Sequence, residues 1–114
     1  MVDVEKLSLA AITRTQSELA KQSSSGRSAT TVFGGHEHTL RQTVIAINSG
    51  HKLDEHANPG EATVHVLAGR VRLVAADVFW DGTSGDLLIV PNAPHSLEAL
   101  EDAVVLLTVA KHNH

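Results

Sequence analysis

Along the 114 residues the spacing of apolar positions changes character once. Over residues 3–21 the apolar side chains recur at helical spacing, and LSLAAITRTQSELAK contains neither proline nor glycine. This predicts a helix capped by Asp3. Its stripe would be Leu9, Ile12, Gln16 and Leu19, with Val4, Leu7 and Ala11 beside it. The polar run Lys21–Ser28, KQSSSGRS, ends the pattern as a loop. From Ala29 onward the period becomes two. Strands are predicted at Ala29–Phe33, Thr39–Asn48, Glu61–Ala68, Val71–Ala75, Val78–Trp80, Asp86–Val90, Ser96–Leu100 and Val104–Ala110, separated by glycine-, proline- and asparagine-rich breaks. No helical pattern lies between them, which excludes a parallel α/β sheet and leaves a closed barrel or a sandwich. The division expected is a helix and polar linker over residues 1–28 and a β-barrel over residues 29–114, one domain overall.

Alternation assigns faces. Ala62, Val64 and Val66 share one side of their strand and should face the interior, while Glu61, Thr63 and His65 share the other. Val71 and Leu73 oppose Arg70 and Arg72, so the arginines should point to solvent. Val104–Val109 is apolar on both sides, as for a strand covered by the helix or by a second subunit. Phe79 and Trp80 read as packing residues near a strand end.

Composition narrows the classes. There are no cysteines, which excludes disulfides, thiolate metal sites and a cysteine nucleophile. The formal net charge is −4, and the densest basic stretch is only Arg70 and Arg72, so a nucleic-acid partner is not expected. No apolar run approaches the roughly 20 residues that cross a bilayer, and the acidic start does not read as a signal peptide. A cytoplasmic protein without a membrane partner is expected. The sequence has no nucleophile elbow, no phosphate-binding loop and no dinucleotide glycine pattern.

What chemistry there is resides in histidines. Two blocks, GHKLDEHANPGEATVHVLAG from Gly50 and GDLLIVPNAPH from Gly85, each join strand patterns to a turn with a histidine, and a barrel built from them should bring His56 and His95 together at its mouth. On the early strand, Arg41 and Thr43 share a face with Ile45 and Ile47, whereas Gln42 lies with Val44 and Ala46; whichever polar group faces inward would line the pocket. His65 reads as a surface or interface residue, His36 and His38 as loop residues, His51 as solvated, and His112 and His114 as tail residues.

The two blocks resemble the cupin family, whose motifs run G-x5-H-x-H-x3-4-E-x6-G and G-x5-P-x-G-x2-H-x3-N. Gly50, His56 and Gly69 match the first, with Asn58 at the second histidine and Ala62 at the glutamate. Gly85 and Pro91 match the second; Ala93 replaces its glycine, His95 comes one residue early, and Ala99 stands for its asparagine. The resemblance covers about residues 40–110 and implies an all-β double-stranded β-helix, a jelly-roll-like barrel, often dimeric. Cupin metal sites use both first-motif histidines, the glutamate and the second-motif histidine. This chain keeps His56 and His95; Glu61 could join them only if a bulge at Pro59-Gly60 turned it inward. The expectation is a small-molecule-binding barrel lined by His56, His95, Arg41, Gln42, Thr43 and Asn58, with a weak divalent metal (zinc, nickel, iron or manganese) on His56, His95 and Glu61, and a homodimer. Two alternatives stand beside it: a metal-dependent dioxygenase, isomerase or decarboxylase, and a dimeric sensory or interaction module.

Overall fold

The computed structural model describes residues 2–57 and 60–111, without the side chain of His56. Its elements are helix α1 (Leu9–Gln22) and strands β1 (Arg27–Phe33), β2 (Leu40–Ile47), β3 (Lys52–His56), β4 (Gly60–Ala68), β5 (Arg70–Ala75), β6 (Val78–Thr83), β7 (Leu87–Ile89), β8 (His95–Ala99) and β9 (Ala103–Lys111). The strands form two antiparallel sheets, in the orders β1-β2-β9-β4-β7 and β3-β8-β5-β6. The main core lies between them. Ile45, Val64, Val66, Val105 and Val109 of the first sheet pack with Val71, Leu73, Leu97 and Ala99 of the second. Val64, Val66, Val71 and Leu73 thus sit on the face that strand alternation assigns to the interior.

The helix packs on the outside of the first sheet. Ala20 is fully buried with Val44, Ala46 and Val104, and Leu9, Ile12 and Leu106 pack against them. The two-sided apolar character of β9 is thereby accounted for within the chain: Val105 and Val109 face the core, and Val104 and Leu106 face α1. Gln16 is buried in the same seam, where its Oε1 accepts from Ser28 Oγ at 2.5 Å.

Four expectations are corrected. The helix begins at Leu9, not at residue 3, because Ser8 is the cap: its backbone is extended and its Oγ accepts from Ala11 N at 3.2 Å. The Asp3 carboxylate instead takes the neighbouring Val4 N–H, at 2.9 Å. The buried edge of the helix runs Leu9, Ile12, Gln16, Ala20, so Leu19 is left 45% exposed. Phe79 and Trp80 are exposed rather than packed, because β6 is the last strand of its sheet; the Arg72 guanidinium carbon lies 4.2 Å from the Phe79 ring centre. Finally, β3 is a strand that the pattern did not reveal. Of Lys52, Leu53, Asp54 and Glu55 only Leu53 is apolar, and it packs against the core.

Candidate functional site

The site builds from the register of β3 against β8. Leu53 is opposite Leu97, and His56 is opposite His95. Three steps along β3 thus match two along β8, so the ladder shifts by one residue in between. A regular ladder continued from Leu53 would have set Glu55, not His56, across from His95. The irregularity brings the backbones of the two histidines, about 40 residues apart, to neighbouring positions, with opposed Cα atoms typically about 4.5–5.5 Å apart in such a pair.

His95 is 4% exposed and lies on the interior face of β8 with Leu97 and Ala99. Its Nδ1 is 2.9 Å from the carbonyl oxygen of Ala93. A carbonyl only accepts, so Nδ1 carries the hydrogen, and in the neutral ring Nε2 is the acceptor nitrogen. The 91–94 loop that supplies Ala93 connects Val90, at the end of the first sheet, to His95, at the start of β8, so both residues mark the same end of the barrel.

At that end the first sheet contributes a row of inward positions: Arg41 of β2 and Ala62 of β4 are both in register with Val109 of β9. Val109 is buried in the core, so Arg41 shares the interior face, as does Thr43, opposite Leu107. Arg41 is exposed at the rim and makes no ion pair among the described residues. Gln42 is on the other face. Its Nε2 donates to Thr108 Oγ1 at 3.2 Å, outside the barrel, so it cannot line the same pocket as Arg41 and Thr43. Asn58 lies outside the described residues, as do His112 and His114.

The donor set decides how a metal would fare. Ala62, at the place of the family's glutamate, is 6% exposed and carries no donor. Glu61 is exposed and in register with Ala110, and the β4–β9 ladder runs without a shift from Gly60 to Val66, so no bulge turns it inward. Its expected place among metal ligands is therefore corrected: it belongs to the outer face. Among the described residues no three histidine, aspartate or glutamate side chains converge. Of the residues at the expected metal positions, Glu61 faces outward and Ala62 has no donor, which leaves His95 among the described side chains.

Other histidines fall apart from this site. His65 is half-buried on the outer face of β4, between Leu87 and Leu106 in register. His36 and His38 are exposed in the β1–β2 connection, His38 against Phe33 with ring centres 5.1 Å apart, and His51 is exposed after Gly50. A cleft of about 770 Å3 lies on the flank of the barrel end, between the outer face of β4, β7 and β9 and the 91–94 loop. Sequence reasoning missed it, because it depends on where that loop folds back; the Pro91 and Pro94 pair is the one signal for a rigid wall there.

No protein-family model and no curated protein matches the sequence. Solved structures do. A conserved protein of unknown function from Streptococcus pyogenes superposes on 100% of this chain and 93% of its own, with a TM-score of 0.74 and 21% identity. An RmlC-like cupin from Desulfovibrio desulfuricans is 25% identical over 74% of this chain and 81% of its own, with a TM-score of 0.65. A cupin-2 conserved barrel domain protein from Leptotrichia buccalis is 26% identical over 75% of this chain and 41% of its own, with a TM-score of 0.68. With two facing antiparallel sheets, the motif glycines at their turns and these likenesses, the chain is by fold a cupin.

Proposed function

We propose that this cupin binds a small carboxylate-bearing molecule at the barrel end marked by Arg41, Thr43 and His95, without a tightly held metal. The observation that carries the reading is the buried His95. A polar group in a protein interior costs stability unless it is satisfied. The other buried polar side chain among the described residues, Gln16, lies in the helix seam, away from the barrel end. His95 is instead held by the loop at the barrel end, with its Nδ1–H fixed and its backbone set opposite His56 by a shifted ladder. Such a ring, with Nε2 as its acceptor, suits a hydroxyl donor on the ligand, and the Arg41 guanidinium at the rim suits its carboxylate.

The test is thermal shift and calorimetric titration of the full chain with a panel of small mono-, di- and tricarboxylates. A ligand of this site should raise the unfolding temperature, and at a hundred times its Kd should stabilise by about 2.7 kcal/mol. Arg41→Ala, a change at an exposed position, should weaken it about tenfold, equal to about 1.4 kcal/mol. Equal affinity in Arg41→Ala, or no stabilisation by any carboxylate, would overturn the reading. So would one equivalent of iron, manganese or zinc surviving native purification.

A further inference from the structure

The cleft on the barrel flank is not used by the interior reading. Its volume of about 770 Å3 falls within the roughly 300–1,000 Å3 of small-molecule sites. Strand register builds its floor. Thr108 of β9, Thr63 of β4 and Ile89 of β7 form one cross-strand row, and Glu61 sits two residues before Thr63 on the same face. These side chains point away from the core because their neighbours Ala62 and Val109 point into it. Gln42 extends the row by donating to Thr108 Oγ1, which leaves that hydroxyl its own hydrogen to donate.

The wall opposite is held in place before any ligand arrives. Pro91 and Pro94 fix their backbone torsions. The Ala93 N–H donates to the Pro91 carbonyl at 2.8 Å, and the Ala93 carbonyl takes the His95 Nδ1–H at 2.9 Å. A preformed cleft spares a ligand the cost of ordering a loop.

Among the described residues the cleft carries one charge, a negative one. Among the described residues lining it, Glu61 alone is ionisable. Lys111, in the next register row, is drawn away: its Nζ donates to the Gly35 carbonyl at 2.8 Å. Arg41 is on the other face of the sheet. The remaining polar groups are the Thr63 and Thr108 hydroxyls and the Asn92 amide, set among apolar Ile89 and the two prolines. A carboxylate, neutral hydrogen-bonding groups and a short apolar wall match one class of ligand. We propose that this flank cleft is a second binding site, for a small primary amine with a short aliphatic body, its ammonium on Glu61. The chain's net charge of −4 favours approach of such a cation.

The experiment is a titration of the full chain with 1,4-diaminobutane hydrochloride at constant ionic strength, followed by amide NMR shifts. Saturable shifts are expected at Glu61, Thr63, Ile89, Asn92 and Thr108. Glu61→Gln, at an exposed position, should weaken binding about tenfold, as expected for loss of a charge-assisted hydrogen bond. 1,4-Butanediol, which has the same chain without the charge, should not saturate. Arg41→Ala should leave the diamine titration unchanged, so this proposal and the carboxylate reading of the barrel interior stand or fall separately. Shifts spread over other exposed carboxylates, equal binding by Glu61→Gln, saturation by the diol, or loss of diamine binding in Arg41→Ala would each overturn it.

Discussion

At the scale of the residue, two motif glycines show that one sequence pattern can conceal unequal constraints. Gly50 and Gly69 both have left-handed backbones, with φ of 84° and 77°. A Cβ at Gly50 would meet nothing within 4 Å, whereas one at Gly69 would lie 2.2 Å from the Asp102 carbonyl oxygen. Gly50→Ala should therefore cost only the torsional strain, about 1–2 kcal/mol. Gly69→Ala should cost clearly more, because the strand-linking backbone around Asp102 and Ala103 must also move. Urea unfolding of both variants checks this; equal losses would contradict it. In the core, Leu73 is 1% exposed, and Leu73→Ala should lose about 2–5 kcal/mol in the same assay. Legibility at this scale followed the pleat. The inward places of Ala62, Val64, Val66, Val71 and Leu73 could be read directly, since alternation alone fixes them. The pairing of His56 with His95 in the ladder depends on a one-residue shift within a charged strand, which no periodicity reports.

At the scale of the element, the helix start separates a local signal from its competitor. Both Asp3 and Ser8 are good capping residues, but only Ser8 lies at the point where the buried edge Leu9, Ile12, Gln16, Ala20 begins. Asp3 lost because a helix started there would extend past the sheet that covers it, leaving Val4 and Leu7 without a surface to pack on. Ser8→Ala should cost about 1 kcal/mol, and Asp3→Ala should cost nothing measurable by thermal unfolding. The same logic explains why β3 escaped notice: an edge strand with one core-facing apolar residue has almost no hydrophobic pattern to read. In the β5–β6 hairpin, Asp81 accepts from Arg72 Nε at 2.7 Å and from Arg72 Nη2 at 3.1 Å. That hydrogen bonding holds the Asp81 carboxyl below the ordinary carboxylate range. A depressed folded-state pKa adds stability above the unfolded value, near about 3.9, and loses it as pH falls through the lowered value. The stability difference between wild type and Asp81→Asn should thus be present at neutral pH and vanish in acid. The pair is exposed, so the difference should be small, and it should shrink with added salt.

At the scale of the whole molecule, the helix is the closing piece of the first sheet. The barrel has two apolar layers to cover: the space between the sheets, filled by side chains of both, and the outer face of β2 and β9, over which α1 lies. Val44, Ala46 and Val104 are each at most 2% exposed beneath it. Burying a valine side chain is worth roughly 1.5–3 kcal/mol, so uncovering this patch removes an amount comparable with the about 5–15 kcal/mol that holds a typical domain folded. The helix and the strands should therefore unfold together in one transition, with no separate melting of residues 1–28. A chain shortened to begin at Ser23 should respond in one of two ways. Either it fails to fold, or it covers the bared strip with a second copy of itself and gains mass in light scattering. In the intact protein that strip is covered by Ala20, with Leu9 and Ile12 around it. A shortened chain that stays monomeric at tens of micromolar and melts at the wild-type temperature would show that the sheet needs no cover, and would break the link between the apolar outer face of β9 and the helix that sits on it.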